Sequence, residues 1–392
     1  MNLDINVTST CNLGCKYCSE GHNPDMPDLA KIENSKTDVK TQDIIKFISK
    51  VHEKNPDEII DISFWGGEPM MNMNYCLDLM TFYAKNKNVK FFFYTNGTYI
   101  GKYRDNLKVI NKILGNTEQG APRLVIQISY DGKAINDVER LTKKNGSTSD
   151  LVKEAYHILG EIGIARALKS TITPRTFNLI YESYLDVISI PDNSNYFPTP
   201  DTYSDYVKED TEKYMEDLKI GLQKIAKHIY DNKLPINSFG WFQNSRALCS
   251  AGVNYFSINL DGAISPCHGT MYEDHLDHEI GNVHDENIVQ TLDKATEKYK
   301  DLINHMNDDC QGCKSLFCMK CPAGSYNLQS TKKIAEKKIN IIPLKEYEMK
   351  WTTKNINLCQ IFKLNDIIHK SLLTAMKQQP VQAEKKACEV RF

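Results

Sequence analysis

No apolar run in this 392-residue chain reaches the ~18 residues that a membrane-spanning helix needs. The opening residues MNLDINVTST lack the basic start and apolar core of a secretory signal, and they lack the Arg-rich amphipathic character of a transit sequence. Both absences point to a soluble, cytoplasmic protein. A charge excess is missing too: the net charge is −2, with no basic footprint for a phosphate backbone and no strongly acidic tail. Nucleic acid and membranes are therefore not the expected partners. No repeat of solenoid period occurs, and compositional bias is confined to the polar, Lys-rich end of the chain.

Cysteine, by contrast, is plentiful. Twelve are present, many for a reducing compartment where disulfides seldom persist, so metal-binding thiolates are the better expectation. An apolar fraction of 41% supports a real core, and the length suits one large domain or two of ordinary size.

Leu3, Ile5 and Val7 alternate with polar residues, the period of a strand. From Lys40 onward, Ile44, Phe47, Ile48 and Val51 recur at helical spacing, and 58–65 reads as a β-rich run. The alternation continues with helices near 74–86, 103–114, 149–161 and 176–188, and with strands at 89–95, 124–130 and 165–173. Five strands alternating with helices imply a parallel sheet whose functional loops lie at the strands' C-terminal ends. A sixth strand is expected within 188–200, where prolines argue against a central position. One long helix is expected over 205–232. Beyond Phe239 the texture changes to short β-like runs with dense cysteine, so a domain boundary is expected near 235.

The first strand runs straight into Cys11, Cys15 and Cys18, spaced C-x3-C-x2-C. Three cysteines cannot complete a four-thiolate structural zinc site. Either a distant fourth ligand completes it, or the three hold an iron-sulfur cluster with one iron left open. Further motifs follow the next strands in order: Gly66-Gly67-Glu68-Pro69, then Thr95-Asn96-Gly97-Thr98, then Ser129-Tyr130-Asp131-Gly132, and Arg140 in a D-x-x-R register from Asp137. Glycine pairs let a backbone approach a ligand closely.

This set, with the aromatic Tyr17 before the last cysteine, resembles the signature of the radical S-adenosylmethionine superfamily. The resemblance implies an α/β fold, a partial (β/α)6 barrel over about 1–200. It implies that Cys11, Cys15 and Cys18 hold a 4Fe-4S cluster whose open iron chelates S-adenosylmethionine, which is cleaved reductively to a 5'-deoxyadenosyl radical. Tyr17, Gly66, Gly67, Glu68, Pro69, Asn96, Ser129, Asp131 and Arg140 would then line the cosubstrate, the GGEP element at its amino group and Arg140 at its carboxylate. A flavodoxin- or ferredoxin-like protein would be the reductant.

A second set of cysteines comprises Cys249, Cys267 in a G-x4-C element that starts at Gly262, the run Cys310, Cys313, Cys318 and Cys321, and Cys359. Alone, the four-cysteine run would also suit a zinc knuckle. The whole set is similar to the SPASM subgroup of the same superfamily, which adds two auxiliary 4Fe-4S clusters, although its inner spacings are usually x5 and x3 where these are x4 and x2. The resemblance implies a bridging segment at 201–235 and a cysteine-rich SPASM-like domain over 236–392. Cys310, Cys313, Cys318 and Cys359 would ligate one auxiliary cluster fully. Cys249, Cys267 and Cys321 would give the other only three ligands, leaving an open iron, a substrate-borne ligand or a non-cysteine ligand. Cys76 reads as a small core residue and Cys388 as incidental.

His268 stands where the subgroup's sulfatase-maturing members carry a basic aspartate; it is a candidate base or a structural histidine. Asp261 reads as half of an Asp-Gly turn. Glu20 and His22 could line the cavity mouth or a solvated loop. Trp241, Phe242 and Tyr255 could contact a peptide or belong to the core.

The resemblance implies a peptide or protein substrate. The expected reaction is oxidative modification of a ribosomally made peptide by a carbon-carbon or thioether cross-link. Because Cys11 is already the first ligand, leader recognition is expected from 177–248, from the C-terminal half, or from a separate protein. Formylglycine formation is the second reading, and a non-catalytic iron-sulfur or zinc-binding protein the third.

Overall fold

The alternation at the N-terminus becomes strand β1 (Asn2–Thr8), with Leu3, Ile5 and Val7 fully buried. The computed structural model describes residues 1–18, 36–201, 211–242, 249–270, 278–305 and 356–377. After α1 (Thr41–Lys54) come β2 (Ile60–Gly66), α2 (Met73–Phe82), β3 (Val89–Thr95), α3 (Arg104–Leu114), β4 (Leu124–Ser129), α4 (Lys133–Glu139), α5 (Ser149–Glu161), β5 (Ala165–Ile172) and α6 (Ile180–Ile188). Strand β6 (Pro198–Pro200) pairs with β5 through Ser170↔Pro198 to Ile172↔Pro200. It lies at the sheet's edge, where a proline's missing N–H costs no ladder bond. Part of the long helix expected next falls outside the described residues; α7 occupies Met215–Asp231.

Among the described residues, the strand order is β6-β5-β4-β3-β2-β1 followed by β7 (Tyr255–Ile258), β8 (Ala263–Ser265) and β9 (Gly281–Asn282). Each of the first six strands lies beside its predecessor, the progression that helical crossovers of constant hand produce in a partial barrel. Strand β7 joins the opposite edge in parallel, from Asn2↔Tyr255 to Ile5↔Ile258, so the sheet runs across position 235. β7 and β8 form a hairpin whose turn uses Asp261 and Gly262, the glycine at φ +88°. Helices α8 (Ile288–His305) and α9 (Ile356–Lys377) complete the described chain. No helix among the described residues is long and apolar enough to cross a membrane.

Parallel partners in register share a face of the sheet, so the period-2 alternation sorts the strands into two surfaces. Phe64, Phe91, Phe93, Ile126 and Ile128 belong with Ile44, Phe47 and Ile48 of α1 to one buried apolar core. The inner face is polar: Asp4 is in register with Ser63 and Ser257, Tyr94 with Gln127, and Ser129 with Lys169. Trp241 and Phe242 are buried and belong to the core: Trp241 donates its indole N–H to the Pro198 carbonyl (2.5 Å), and its own carbonyl accepts from Asn365 of α9 (2.9 Å). Cys76 is likewise a buried core residue on α2.

Arg123, at the entrance to β4, is wholly buried, and no carboxylate among the described residues pairs with it. Its guanidinium instead donates to the carbonyls of Val89 (2.9 Å), Ala84 (2.7 Å), Leu114 (2.9 Å), Tyr83 (2.7 Å) and Asn86 (2.6 Å). It thereby caps the ends of neighbouring elements at the N-terminal rim of the sheet. Arg123→Met strands these acceptors, and a loss of at least ~3 kcal/mol is expected, read from the urea midpoint. Arg123→Lys, with fewer donors, should recover only part of it.

Candidate active site

The three-cysteine loop leaves β1 at the C-terminal end of the sheet and is sewn to two neighbouring loops. Gly14 N–H donates to the Leu141 carbonyl and Lys16 N–H to that of Glu139, both at 2.9 Å. On the other side Gly67 and Glu68 donate to the carbonyls of Thr8 and Thr10, each at 2.8 Å. A Cβ on Gly66 would lie 2.2 Å from the Thr8 carbonyl oxygen, and one on Gly67 would lie 2.4 Å from that of Thr10. Glycine is therefore needed for the two loops to touch, quite apart from any ligand. Gly67→Ala must push them apart; the expected result is reduced iron retention after reconstitution, with ~1–3 kcal/mol lost in thermal unfolding.

Cys11, Cys15 and Cys18 are reduced and pack around Leu13, the first two buried and the third half-buried. Burial pushes the Cys11 thiol up to about 12, with the Glu68 charge adding to the rise, and burial raises Cys15 as well. Only a metal would deprotonate such thiols near neutral pH. Among the described residues no three His, Cys, Asp or Glu side chains converge on one point as a single-ion site requires. A cluster makes no such demand, since each thiolate meets a different iron. Three thiols on one loop, with amide and glycine neighbours, fit that group.

Glu68 is fully buried, and its carboxylate is occupied by the protein: Oε1 accepts from Met70 N–H (3.0 Å) and Thr95 Oγ1 (2.7 Å), Oε2 from Asn96 N–H (2.7 Å). Burial raises its pKa, against the pull of these three donors. The side chain thus ties the β2 loop to the β3 loop. Pro69 opens the short 3-10 turn Pro69–Asn72, where its missing N–H is not needed.

Asn96 donates to Asn12 Oδ1 (2.9 Å) and points its amide at Cys11 Sγ (3.8 Å). Its own oxygen accepts from Thr98 N–H (3.0 Å), and Thr98 Oγ1 accepts from Asn12 (2.9 Å). Asn12 was not singled out from the sequence; its position directly after Cys11 was the available signal. Hydrogen bonds to ligand sulfur are one way a protein tunes a cluster.

Tyr17, Asp131 and Arg140 form one buried network: the Tyr17 hydroxyl donates to Asp131 Oδ2 (2.6 Å) and accepts from Arg140 Nη1 (2.7 Å). Asp131 Oδ1 accepts from Thr171 N–H at 2.7 Å. Burial raises the Asp131 pKa, opposed first by the Arg140 charge. Asp137, at the other end of the D-x-x-R register, turns outward to Lys133 (2.6 Å) and Ser147 (2.6 Å). Ser129 is half-buried on the inner face, in register with Lys169.

Cys249 and Cys267 are brought together with Ala251 and Tyr255 beside the edge strand β7. Cys310, Cys313, Cys318, Cys321, Glu20, His22 and Cys388 lie outside the described residues; Cys359 falls on α9, its side chain not described. His268 is half-exposed on the 3-10 turn after Cys267, its Nδ1 3.2 Å from Asp4 Oδ2 and its ring 5.3 Å from that of Trp65. The Tyr255 hydroxyl touches both Asp4 and His268. Asp4 Oδ1, Asn6 Oδ1 and Ser257 Oγ are buried on this wall with no hydrogen-bond partner among the described residues. Buried polar groups are rarely left so, and these three line the polar inner wall beside His268. Asp4, Trp65 and Ser257 carried no motif; the signal was that β1 has polar residues on its inward parity.

A partial barrel with three thiols on one loop at the mouth of a polar inner wall is an architecture suited to an iron-sulfur cluster. The radical SAM superfamily model matches residues 5–176, and the model of the iron-sulfur cluster-binding domain named SPASM matches residues 249–314. The chain belongs to the radical SAM superfamily and to its SPASM-bearing subgroup. Its cofactors are accordingly S-adenosylmethionine and 4Fe-4S clusters, auxiliary ones included. An uncharacterized protein of Methanocaldococcus jannaschii is 30% identical over 192 residues, 46% of this chain and 56% of that protein, so the match spans about half the relative's length. The solved structure of native anSMEcpe with bound AdoMet has a TM-score of 0.70 at 17% identity, covering 96% of this chain and 100% of its own. The form of anSMEcpe with bound AdoMet and Cp18Cys peptide gives 0.68 at 18%, covering 96% and 99%. At such identities these structures speak for the fold alone.

Proposed function

We propose that this protein cleaves S-adenosylmethionine and uses the resulting radical to modify a ribosomally made peptide oxidatively, forming a carbon-carbon or thioether cross-link. The observation that carries the reading is the arrangement at the strand ends: the three-cysteine loop and the loops after β2, β3 and β4 are bonded to one another above an inner wall with unsatisfied polar atoms. When bound, a 4Fe-4S cluster would supply the electron for reductive cleavage of the cosubstrate to the 5'-deoxyadenosyl radical. Cys11, Cys15 and Cys18 would hold it, and Asn96 would present an N–H to the first sulfur. The buried Tyr17, Asp131 and Arg140 would fix the loops around the cosubstrate. The radical would take one hydrogen atom from the substrate, giving 5'-deoxyadenosine; the substrate radical would then lose one electron and one proton, and auxiliary clusters would suit as the electron acceptor. His268, held by Asp4 and Tyr255 on the inner wall, would take the accompanying proton.

A peptide substrate is supported by the fold-neighbour that holds Cp18Cys peptide. That same neighbour favours formylglycine formation as the second reading; histidine where the sulfatase-maturing members carry aspartate weighs against it. In either case the protein would work in the cytoplasm with a flavodoxin- or ferredoxin-like reductant; for cross-linking, leader recognition would fall to 177–248, to the C-terminal half or to a separate protein.

Anaerobic reconstitution followed by assay for reductant-dependent 5'-deoxyadenosine tests the reading, and a cluster-loaded wild type that releases none would remove it. Mass spectrometry of a co-expressed candidate peptide then separates a cross-link, with loss of two hydrogens, from formylglycine.

A further inference from the structure

Residues 139–146 lie directly against the three-cysteine loop. Leu13 forms an antiparallel bridge with Thr142, and Gly14 and Lys16 donate to the Leu141 and Glu139 carbonyls. The stretch then doubles back: Thr142 N–H donates to the Gly146 carbonyl (2.9 Å), Asn145 N–H to the Thr142 carbonyl (2.8 Å) and Gly146 N–H to Thr142 Oγ1 (2.8 Å). Asn145 stands in the left-handed region at φ +59°, which asparagine enters more readily than most residues. At the base of the turn Ser147 and Ser149 donate to Asp137 Oδ1 (2.6 and 2.5 Å). A turn braced in this way holds its tip in one place, beside the thiols.

That tip is Lys143-Lys144. Both residues are exposed, and the bonds that close the turn use neither side chain. Lys133 nearby is paired with Asp137 at 2.6 Å, whereas Lys143 and Lys144 have no acidic partner among the described residues. Two apolar side chains flank the base: Val138 is 41% and Leu151 49% exposed. One exposed apolar residue needs no explanation, but two beside a fixed pair of like charges make an apolar centre with a charged rim, the composition of an interface. Electron transfer weakens steeply with distance, so a protein donor has to dock where the ligand loop of the cluster comes to the surface.

We propose that the Lys143-Lys144 turn, with Val138 and Leu151, is the docking surface for the electron donor, and that it selects a donor with an acidic surface around its redox centre. This deepens the function proposed above and rests on reduction of the cluster by a separate flavodoxin- or ferredoxin-like protein. One electron leaves the donor, which is oxidised, and reduces the cluster; no atom is exchanged. A small, charge-steered contact suits such a pair, because the donor must depart after each transfer.

The test drives reconstituted holoenzyme in parallel with an acidic flavodoxin, kept reduced by NADPH and its reductase, and with dithionite, which needs no docking surface. In K143E/K144E, flavodoxin-driven release of 5'-deoxyadenosine at low salt should fall about tenfold, and the loss should shrink at high salt as the charges are screened. Dithionite-driven release should match wild type. K108E/K112E makes the same change of charge at exposed positions on α3 and should leave flavodoxin-driven release as it is. Fluorescence anisotropy of labelled flavodoxin gives a readout apart from turnover: its affinity for the holoenzyme should drop in K143E/K144E chiefly at low salt, and in V138S/L151S at low and high salt alike. Equal flavodoxin-driven release in K143E/K144E and wild type, or an equal loss in K108E/K112E, overturns the proposal, as does a wild type that neither binds flavodoxin nor is driven by it. Any of these results in an enzyme active with dithionite sinks this inference alone, whereas wild type inactive with both reductants counts against the proposed function as well.

Discussion

Changing Cys11, Cys15 and Cys18 together to Ala should bring 5'-deoxyadenosine release down to that of the enzyme-free control while the barrel stays folded. The three thiols sit on a loop that hangs from backbone hydrogen bonds to the Glu139–Leu141 stretch and to the β2 loop, none of which needs a sulfur atom. Circular dichroism should therefore show native secondary structure. Iron content should fall by one cluster's share and no further, because Cys249 and Cys267 form their own group at the edge strand. Single changes should not be equivalent: Cys11 and Cys15 are buried and Cys18 is half-buried, so Cys18→Ala disturbs packing least and isolates the loss of a ligand. A triple variant that still cleaves the cosubstrate at the wild-type rate would falsify the assignment of this loop.

The second large effect is expected at Arg140. Arg140→Met leaves Asp131 buried without its cation, and breaking a buried pair from one side typically costs ~3–5 kcal/mol. The pH dependence has a definite sign. Burial already holds the Asp131 pKa above its unfolded value, with Arg140 opposing that rise; without the guanidinium it rises further. A carboxyl whose folded pKa is raised contributes stability that is present below the unfolded pKa and lost as pH climbs through the folded one. The variant's deficit should therefore be largest at neutral and alkaline pH and shrink on acidification, as read from urea midpoints across the range. Adding Asp131→Asn should rescue part of the loss, so that the double variant is less destabilised than the sum of the singles. Simple additivity would mean that the two groups do not interact.

Regular elements were legible because their period is local. Strand β3 and helix α5 occupy the spans that hydrophobic spacing assigns, 89–95 and 149–161, and the sixth strand lies at an edge as its prolines demand. Motifs at successive strand ends were legible for the same reason, since each is a short run after a recognisable strand. Asn12, Asp4 and Lys169 were not, because their meaning depends on partners 84 to 264 residues away or on a face that only register defines. The hydrogen bond from Asn96 to Asn12 spans 84 positions, and the contact of His268 with Asp4 spans 264. Arg123 is a further case: a lone arginine before a strand looks like a surface charge until five carbonyls are found around it.

By itself, then, the sequence determined the alternation of strands and helices, the loop that bears three thiols, and the order of the motifs behind it, because spacing along the chain is enough to express them. Only the tertiary structure decided that β7 closes onto β1, that Trp241 and Phe242 are core, that Glu68 and Arg140 are spent on fixing loops and a buried carboxylate, and that Lys169 lies on the inner face beside Ser129. Those outcomes rest on pairing between distant strands and on the expense of leaving polar groups dry, and neither is written in the spacing of neighbouring residues.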